Sequence, residues 1–336
     1  MNVWLPTIRA GSGSDIFTNR LATALEDRGV NATITWFDRY FEFAPGLLKI
    51  INPPANTDVI HVNSWSGFAF RRPGKKLIVT VHLCVHDPAL LQYKSLLQRI
   101  YHDNLIRNYE TSSFQCGDCV TAVSNYTSNI VQNIFNIDKP VPVYNGIDTG
   151  FFNVQELNVK NKKFTLLFVG NTTRRKGFDL LEPIMDKLGN DFILEYTSGL
   201  RKKSHTATGN MINIGQLDQN ALVDAYHRCD ALLFPSRLEG FGYSVCEAMA
   251  CGKPVIVSDN SSLSEIIRHG ETGLLCKTDD VDAFCNAVKV LSADRDKGRE
   301  MGKAGREFVV DNFSITKMVR NYIRLYEDQL DNTGRK

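Results

Sequence analysis

The chain has 336 residues, 43% hydrophobic and 23% charged, with a formal net charge of +2. That length suggests about two domains, the near-neutral charge gives no case for nucleic acid as a partner, and no apolar run approaches the ~18 residues of a membrane-spanning helix. Eight cysteines are scattered, mostly among apolar neighbours; they read as small core residues, and a reducing cytoplasm is the expected compartment.

The N-terminus begins Met-Asn-Val-Trp-Leu-Pro. It has neither a basic n-region nor a cleavage site, and is expected to form a strand rather than a leader. Strand 3–8 leads into a loop with Gly11 and Gly13, then an amphipathic helix over 16–28 and a strand over 31–37. A glycine loop between a strand and a helix N-terminus can hold an anion. Asp38 after the second strand suggests a dinucleotide fold, but the third glycine of that fingerprint is replaced by Ile16.

Residues 36–54 are aromatic and proline-rich with little periodicity. Strand 58–62 contains His61, and strand 76–81 delivers His82 at its carboxyl end; His86 is a competing candidate four residues on. Residues 88–114 read as a long helical pattern bearing Tyr93, Lys94, Arg99, Tyr101, Arg107 and Tyr109. With the basic turn 71–76, they form either a solvated face or a surface for anionic lipid. Cys116 and Cys119 have CxxC spacing without a second pair. That is half of a structural zinc site, and the pair reads as a helix end entering strand 120–124. A helix over 126–135 and a strand over 141–144 lead to the turn Asn145-Gly-Ile-Asp148.

Residues 153–163 read as a polar linker. A second α/β series then begins at 164–169. Its first loop runs from Gly170 to Gly177 and carries Arg174, Arg175 and Lys176 at a helix N-terminus, an arrangement suited to a pyrophosphate. A strand over 192–196, a polar loop over 199–209 with Arg201, Lys202 and Lys203, and a strand over 211–214 follow. Asp218 is placed to cap a helix over 219–228. Residues 230–258 read as strand, glycine-broken loop, helix and strand. Glu239 lies in the loop and Glu247 in the helix, on one face with Tyr243. Helices over 262–268 and 280–291, an edge strand over 273–276 and a kinked pair over 295–310 and 314–330 complete the chain. The acidic triplets at 280–282 and 294–296 fall in helical surface patterns and are not read as metal ligands.

The run EGFGYSVCEAMACGKPVIV, with Glu239-x7-Glu247, resembles the donor-binding signature of retaining glycosyltransferases of family 4. The basic loop matches that family at Arg175 and Lys176 but departs from it at Asn171, where many members have arginine. Thr80-Val-His82 resembles the family's active-site histidine. The resemblance implies a GT-B fold: two Rossmann-like α/β domains facing each other across a cleft, with a C-terminal helix crossing back to the first. The expected divisions are 1–152 for acceptor binding, 153–313 for the nucleotide sugar, and 314–336 for the returning helix.

It also implies sugar transfer, with retention, from a nucleotide sugar to an acceptor hydroxyl; a UDP-sugar is favoured and a GDP-sugar is the alternative. The expected catalytic residues are His82, Glu239, Arg175 and Lys176. Donor contacts are expected from Gly11, Gly13, Gly170, Arg174, Arg175, Lys176, Leu217, Glu239, Gly240, Phe241, Gly242, Tyr243 and Glu247. No cofactor and no metal are expected. The implied setting is cell-envelope polysaccharide or glycolipid assembly, including lipopolysaccharide. A sugar or lipid-linked acceptor would be met at the inner face of the cytoplasmic membrane through peripheral contact with anionic lipid. A nucleotide-sugar epimerase of the same fold, a non-catalytic GT-B binding protein and a nicotinamide oxidoreductase are the rival readings.

Overall fold

The computed structural model describes residues 1–155, 163–198 and 209–331. Most of the expected linker and the loop with Arg201, Lys202 and Lys203 lie outside the described residues. The chain divides into two compact units, Met1–Gly146 with Ile315–Lys336, and Ile147–Ser314.

The first unit is a six-stranded parallel sheet in the order β2-β1-β3-β4-β5-β6. Its strands are β1 (Asn2–Ile8), β2 (Asn31–Phe37), β3 (Val59–Asn63), β4 (Lys76–Val81), β5 (Cys119–Ala122) and β6 (Val141–Pro142). Valine, isoleucine and leucine fill both faces of the central strands, as a sheet covered on both sides requires. Helix α1 (Gly13–Glu26) buries Phe17, Leu21 and Leu25 against one face.

Residues 88–116 are not one helix. A 3-10 turn over Pro88–Tyr93 is followed by α2 (Leu96–Tyr101), a π-helical turn over His102–Ile106, and α3 (Arg107–Cys116). The break falls at Ser95, which forms a reciprocal capping box with Gln98 and so starts a new helix. The aromatic stretch before β3 forms two 3-10 turns, Arg39–Glu42 and Pro45–Ile50. Helix α4 (Asn125–Phe135) follows β5.

The second unit has a six-stranded parallel sheet in the order β12-β11-β10-β7-β8-β9. These are β7 (Phe164–Phe168), β8 (Phe192–Thr197), β9 (Met211–Gly215), β10 (Ala231–Phe234), β11 (Val255–Ser258) and β12 (Leu274–Cys276). Helices α5 (Phe178–Leu188), α6 (Gln219–Arg228), α7 (Tyr243–Ala250), α8 (Leu263–Ile266), α9 (Val281–Ala293) and α10 (Arg295–Phe313) connect and cover them. Asp218, Asp280 and Asp294 each accept a backbone N–H as N-caps. The acidic triplets thus begin helices, which accounts for their spacing.

Helix α11 (Ile315–Asp331) returns to the first unit. Its apolar stripe of Met318, Val319, Tyr322, Leu325 and Tyr326 joins the core built by Phe17, Leu21, Val59 and Ile78. The division falls at Gly146, earlier than the expected 152, because Phe152 is buried in the second unit beside Tyr226. Gly146 lets two chain segments meet: a Cβ there would lie 2.5 Å from Ile315 Cα. All eight cysteines are free, and Cys116 ends α3 just before β5, as the spacing suggested.

Candidate donor site and histidine pocket

In the second sheet β7 lies beside β10, and the chain leaves these strands in opposite directions. This is the switch point at whose carboxyl edge open α/β sheets bind ligands. The loop after β7 carries Arg174–Lys176 as a 3-10 turn; the loop after β10 carries Glu239. The two helices that follow, α5 and α7, both start on a left-handed glycine, Gly177 (φ 70) and Gly242 (φ 104). Neither N-cap offers a side chain, so neither helix dipole is met by its own cap. Gly177 is fixed by space as well: a Cβ there would lie 1.9 Å from the Pro235 carbonyl oxygen.

The structure brings Arg175, Lys176 and Glu239 together. Lys176 Nζ donates to Glu239 Oε1 at 2.7 Å, and Ser236 Oγ donates to the same oxygen at 2.5 Å. Arg175 Nη1 donates to the Leu238 carbonyl at 2.6 Å and lies 3.7 Å from Glu239 Oε1. Lys176 Nζ also sits 5.1 Å from the Phe234 ring centroid. Burial alone would raise the Glu239 carboxyl, but Lys176 and Arg175 outweigh it and hold its pKa below the usual value. Burial lowers the Lys176 ammonium despite the pull of Glu239. The cluster is a buried acid between two cations, with one positive charge in excess.

Sequence reading missed the groups that hold this loop. The Glu239 N–H donates to Ser261 Oγ at 3.0 Å. Ser262 Oγ donates to the carbonyls of Glu239 and Phe241, both at 3.0 Å. Asn260 Nδ2 donates to the Ser236 carbonyl at 3.1 Å. The turn after β11 thus buttresses the turn after β10; its only sequence signal was the polar quartet Asp259–Ser262. Arg237 was also missed. It is 9% exposed and pairs with Asp179 at 2.6 Å and Asp279 at 2.5 Å, tying the two loops together.

Not every expected donor residue stands in this cluster. Arg174 is exposed and lies 3.6 Å from Asp179, outside the Lys176–Glu239 contact. Gly170 is anchored to the end of β8, its N–H donating to Thr197 Oγ1 at 3.0 Å. Gly240 lies in the turn after β10, and Tyr243 is the first residue of α7. The Phe241 side chain is buried against Tyr243 and Phe313. Leu217 lies half-buried in the loop between β9 and α6. Glu247 is 5% exposed, and the Tyr226 hydroxyl donates to its Oε2 at 3.3 Å.

In the first unit, a pocket at the carboxyl edge of β1, β3 and β4 is lined by Ser14, Phe17, His61, Asn63 and His82, among others. His82 packs edge-on against Phe17, with ring centroids 4.7 Å apart. Burial lowers its pKa to about 4, so it is a neutral imidazole at neutral pH. His61 is structural: it contacts the Tyr326 hydroxyl and Thr80 Oγ1, both at 2.6 Å. His86 lies beside buried Glu110 at 3.3 Å and does not line this pocket. The Gly11 loop already holds an anion of its own, since the N–H groups of Ala10 and Gly11 donate to the Asp15 carboxylate. Gly13 opens α1. Asp38 accepts the Tyr40 N–H as the cap of a 3-10 turn, which accounts for it without a ribose.

Two parallel α/β units of this topology, with a basic loop and an acidic loop at one switch point, define a GT-B protein. Residues 15–151 match the glycosyltransferase family 4 model and residues 151–308 the model of glycosyl transferases group 1. The chain belongs to the family-4 glycosyltransferases. It is 29% identical to an uncharacterized glycosyltransferase of Methanocaldococcus jannaschii, over 76% of this chain and 70% of that protein. It is 26% identical to the alpha-maltose-1-phosphate synthase of Mycolicibacterium smegmatis, over 89% and 84%. Sucrose-phosphate synthase from Thermosynechococcus elongatus superposes with a TM-score of 0.84 at 21% identity, covering 99% of this chain and 100% of that one. Anabaena HepE in complex with UDP-glucose gives 0.76 at 16% identity, covering 98% and 100%.

Proposed function

We propose that this glycosyltransferase moves a sugar from a nucleotide sugar, a UDP-sugar in preference to a GDP-sugar, to an acceptor hydroxyl with retention at the anomeric carbon. The observation that carries this reading is the Arg175–Lys176–Glu239 cluster at the open ends of α5 and α7. Departure of the nucleoside diphosphate puts negative charge beside the sugar as the ring becomes oxocarbenium-like. Arg175, Lys176 and the two helix ends meet that charge. A diphosphate arriving at Lys176 displaces Glu239 from it, which frees the carboxylate to accept hydrogen bonds from sugar hydroxyls. Glu247, steadied by Tyr226, accepts the ribose hydroxyls. Neutral His82 contacts the sugar. The acceptor oxygen attacks from the face that the leaving group vacates, so positioning dominates.

Because the cations supply the neutralising charge, turnover is expected without a divalent ion. The acceptor is a sugar or a lipid-linked sugar of polysaccharide or glycolipid assembly, reached in the cytoplasm at an anionic membrane face. The relatives that bind UDP or UDP-glucose support the donor class. The test is incubation of UDP-sugars and GDP-sugars in EDTA with a panel of sugar acceptors, reading nucleoside diphosphate release and the anomer of the glycoside product by NMR. Release of UDP with a retained anomer is expected. An inverted anomer, an epimerised donor without transfer, or a strict need for added magnesium or manganese would each overturn the corresponding part.

A further inference from the structure

Exposed apolar side chains gather on one part of the first unit. Tyr40, Phe43, Leu47 and Ile50 are 72%, 59%, 65% and 82% exposed on the two 3-10 turns before β3. Leu96, Leu97 and Ile100 are 71%, 77% and 50% exposed on α2, which buries none of its residues. Leu91 and Leu105 flank α2 and are also exposed. The two segments form one surface. The Phe43 and Tyr101 rings lie 5.5 Å apart, and the hydroxyls of Tyr101 and Tyr109 donate to Glu42 and to the Phe43 carbonyl. Phe68 stacks on Tyr109, and Lys49 lies over Phe68.

Scattered exposed leucines need no explanation, but a contiguous set of this size marks an interaction site. Three features choose the occupant. The apolar side chains project from short convex turns and a helix face, as insertion beneath lipid headgroups requires. Tyrosines lie within the apolar set, where a bilayer interface places them. Exposed Arg39, Lys49, Arg99 and Arg107 stand about it against exposed Asp38 and Asp103, which complements anionic headgroups. Part of the basic turn at 71–76 is not free for this purpose. Arg71 pairs with Asp118, and Arg72 donates to the carbonyls of Lys49 and Ile51. Arg72 instead holds the apolar turn in place.

We propose that this surface, residues 40–50 with 91–105, docks on an anionic lipid bilayer and inserts its leucine, isoleucine and aromatic side chains at the headgroup level. The inference extends the membrane-facing acceptor of the proposed function but does not depend on the chemistry. Flotation of the full chain with phosphatidylcholine vesicles, with and without phosphatidylglycerol, tests it. The wild type should float with the anionic vesicles and weakly with the neutral ones. Ile50→Asp and Leu97→Asp alter fully projecting side chains and should each lower the partition coefficient by about tenfold or more. Both should keep the wild-type melting temperature and UDP affinity by calorimetry. No flotation with either vesicle, or flotation unchanged in both variants, would overturn the proposal. So would a wild-type dimer, seen by sedimentation, that the variants dissociate, because the surface would then bind a second copy. Failure of UDP binding in the wild type would count against the donor site alone.

Discussion

Glu239 and Glu247 stand eight positions apart, yet their surroundings separate their roles. Glu239 is held between two cations, and Glu247 accepts a hydroxyl from Tyr226. On the proposed reading, removing the Glu247 carboxylate deletes a charged partner of the ribose that acts equally in ground and transition states. Glu247→Ala should therefore weaken UDP binding roughly 10- to 150-fold with a matching rise in donor KM. Tyr226→Phe should give a smaller loss of roughly two- to tenfold. Glu239→Ala removes the acid that neutralises Lys176. UDP affinity should hold or rise while kcat falls, since the sugar contact proposed for Glu239 would matter most in the transition state. Calorimetry with UDP and steady-state kinetics on the three variants separate the roles. Loss of UDP affinity in Glu239→Ala but not in Glu247→Ala would reverse them.

At the scale of elements, the basic loop depends on where the turn before α5 can pass. Gly177 has φ 70, and any Cβ would meet the Pro235 carbonyl at 1.9 Å. The strand-end turns after β7 and β10 can approach only because that position has no side chain. The Arg237 N–H donating to the Arg175 carbonyl at 2.8 Å joins them at the same place. Gly177→Ala should cost about 1–3 kcal/mol of stability and separate Lys176 from Glu239. Urea denaturation with UDP calorimetry on the refolded variant checks this. A variant as stable as the wild type with intact UDP affinity would show that the close approach is unimportant.

At the scale of the molecule, α11 is bonded to the first sheet through a histidine. His61 sits between Tyr326 of α11 and Thr80 of β4. Burial lowers its pKa to about 3, helped by His82, whose own pKa burial lowers to about 4. Both imidazoles are neutral when folded, and both take up protons near pH 6.5 when unfolded. Between about pH 6.5 and 4 the unfolded chain binds more protons, so stability falls as pH falls, by up to about 1.4 kcal/mol per unit for each histidine. Denaturation curves at pH 7, 6 and 5 should show that slope, and His61→Asn should flatten it relative to the wild type at the cost of lower stability at pH 7. A slope identical in the variant would place the effect elsewhere.

Two α/β halves, their strands, the basic loop and the Glu239-x7-Glu247 block were legible in the chain, because they rest on local signals: apolar runs of strand length, helix caps and glycines at fixed offsets. Tertiary structure alone decided what depends on pairings across long separations. Lys176 meets Glu239, Arg237 pairs with Asp179 and Asp279, Ser261 and Ser262 brace a loop more than twenty residues earlier, and exposed Arg174 turns to Asp179. Asp15 filling the Gly11 loop, and the leucines of α2 lying bare instead of on a core face, are of the same kind. A strand or helix periodicity states which face a residue shares, but not which neighbour, if any, the fold brings to that face.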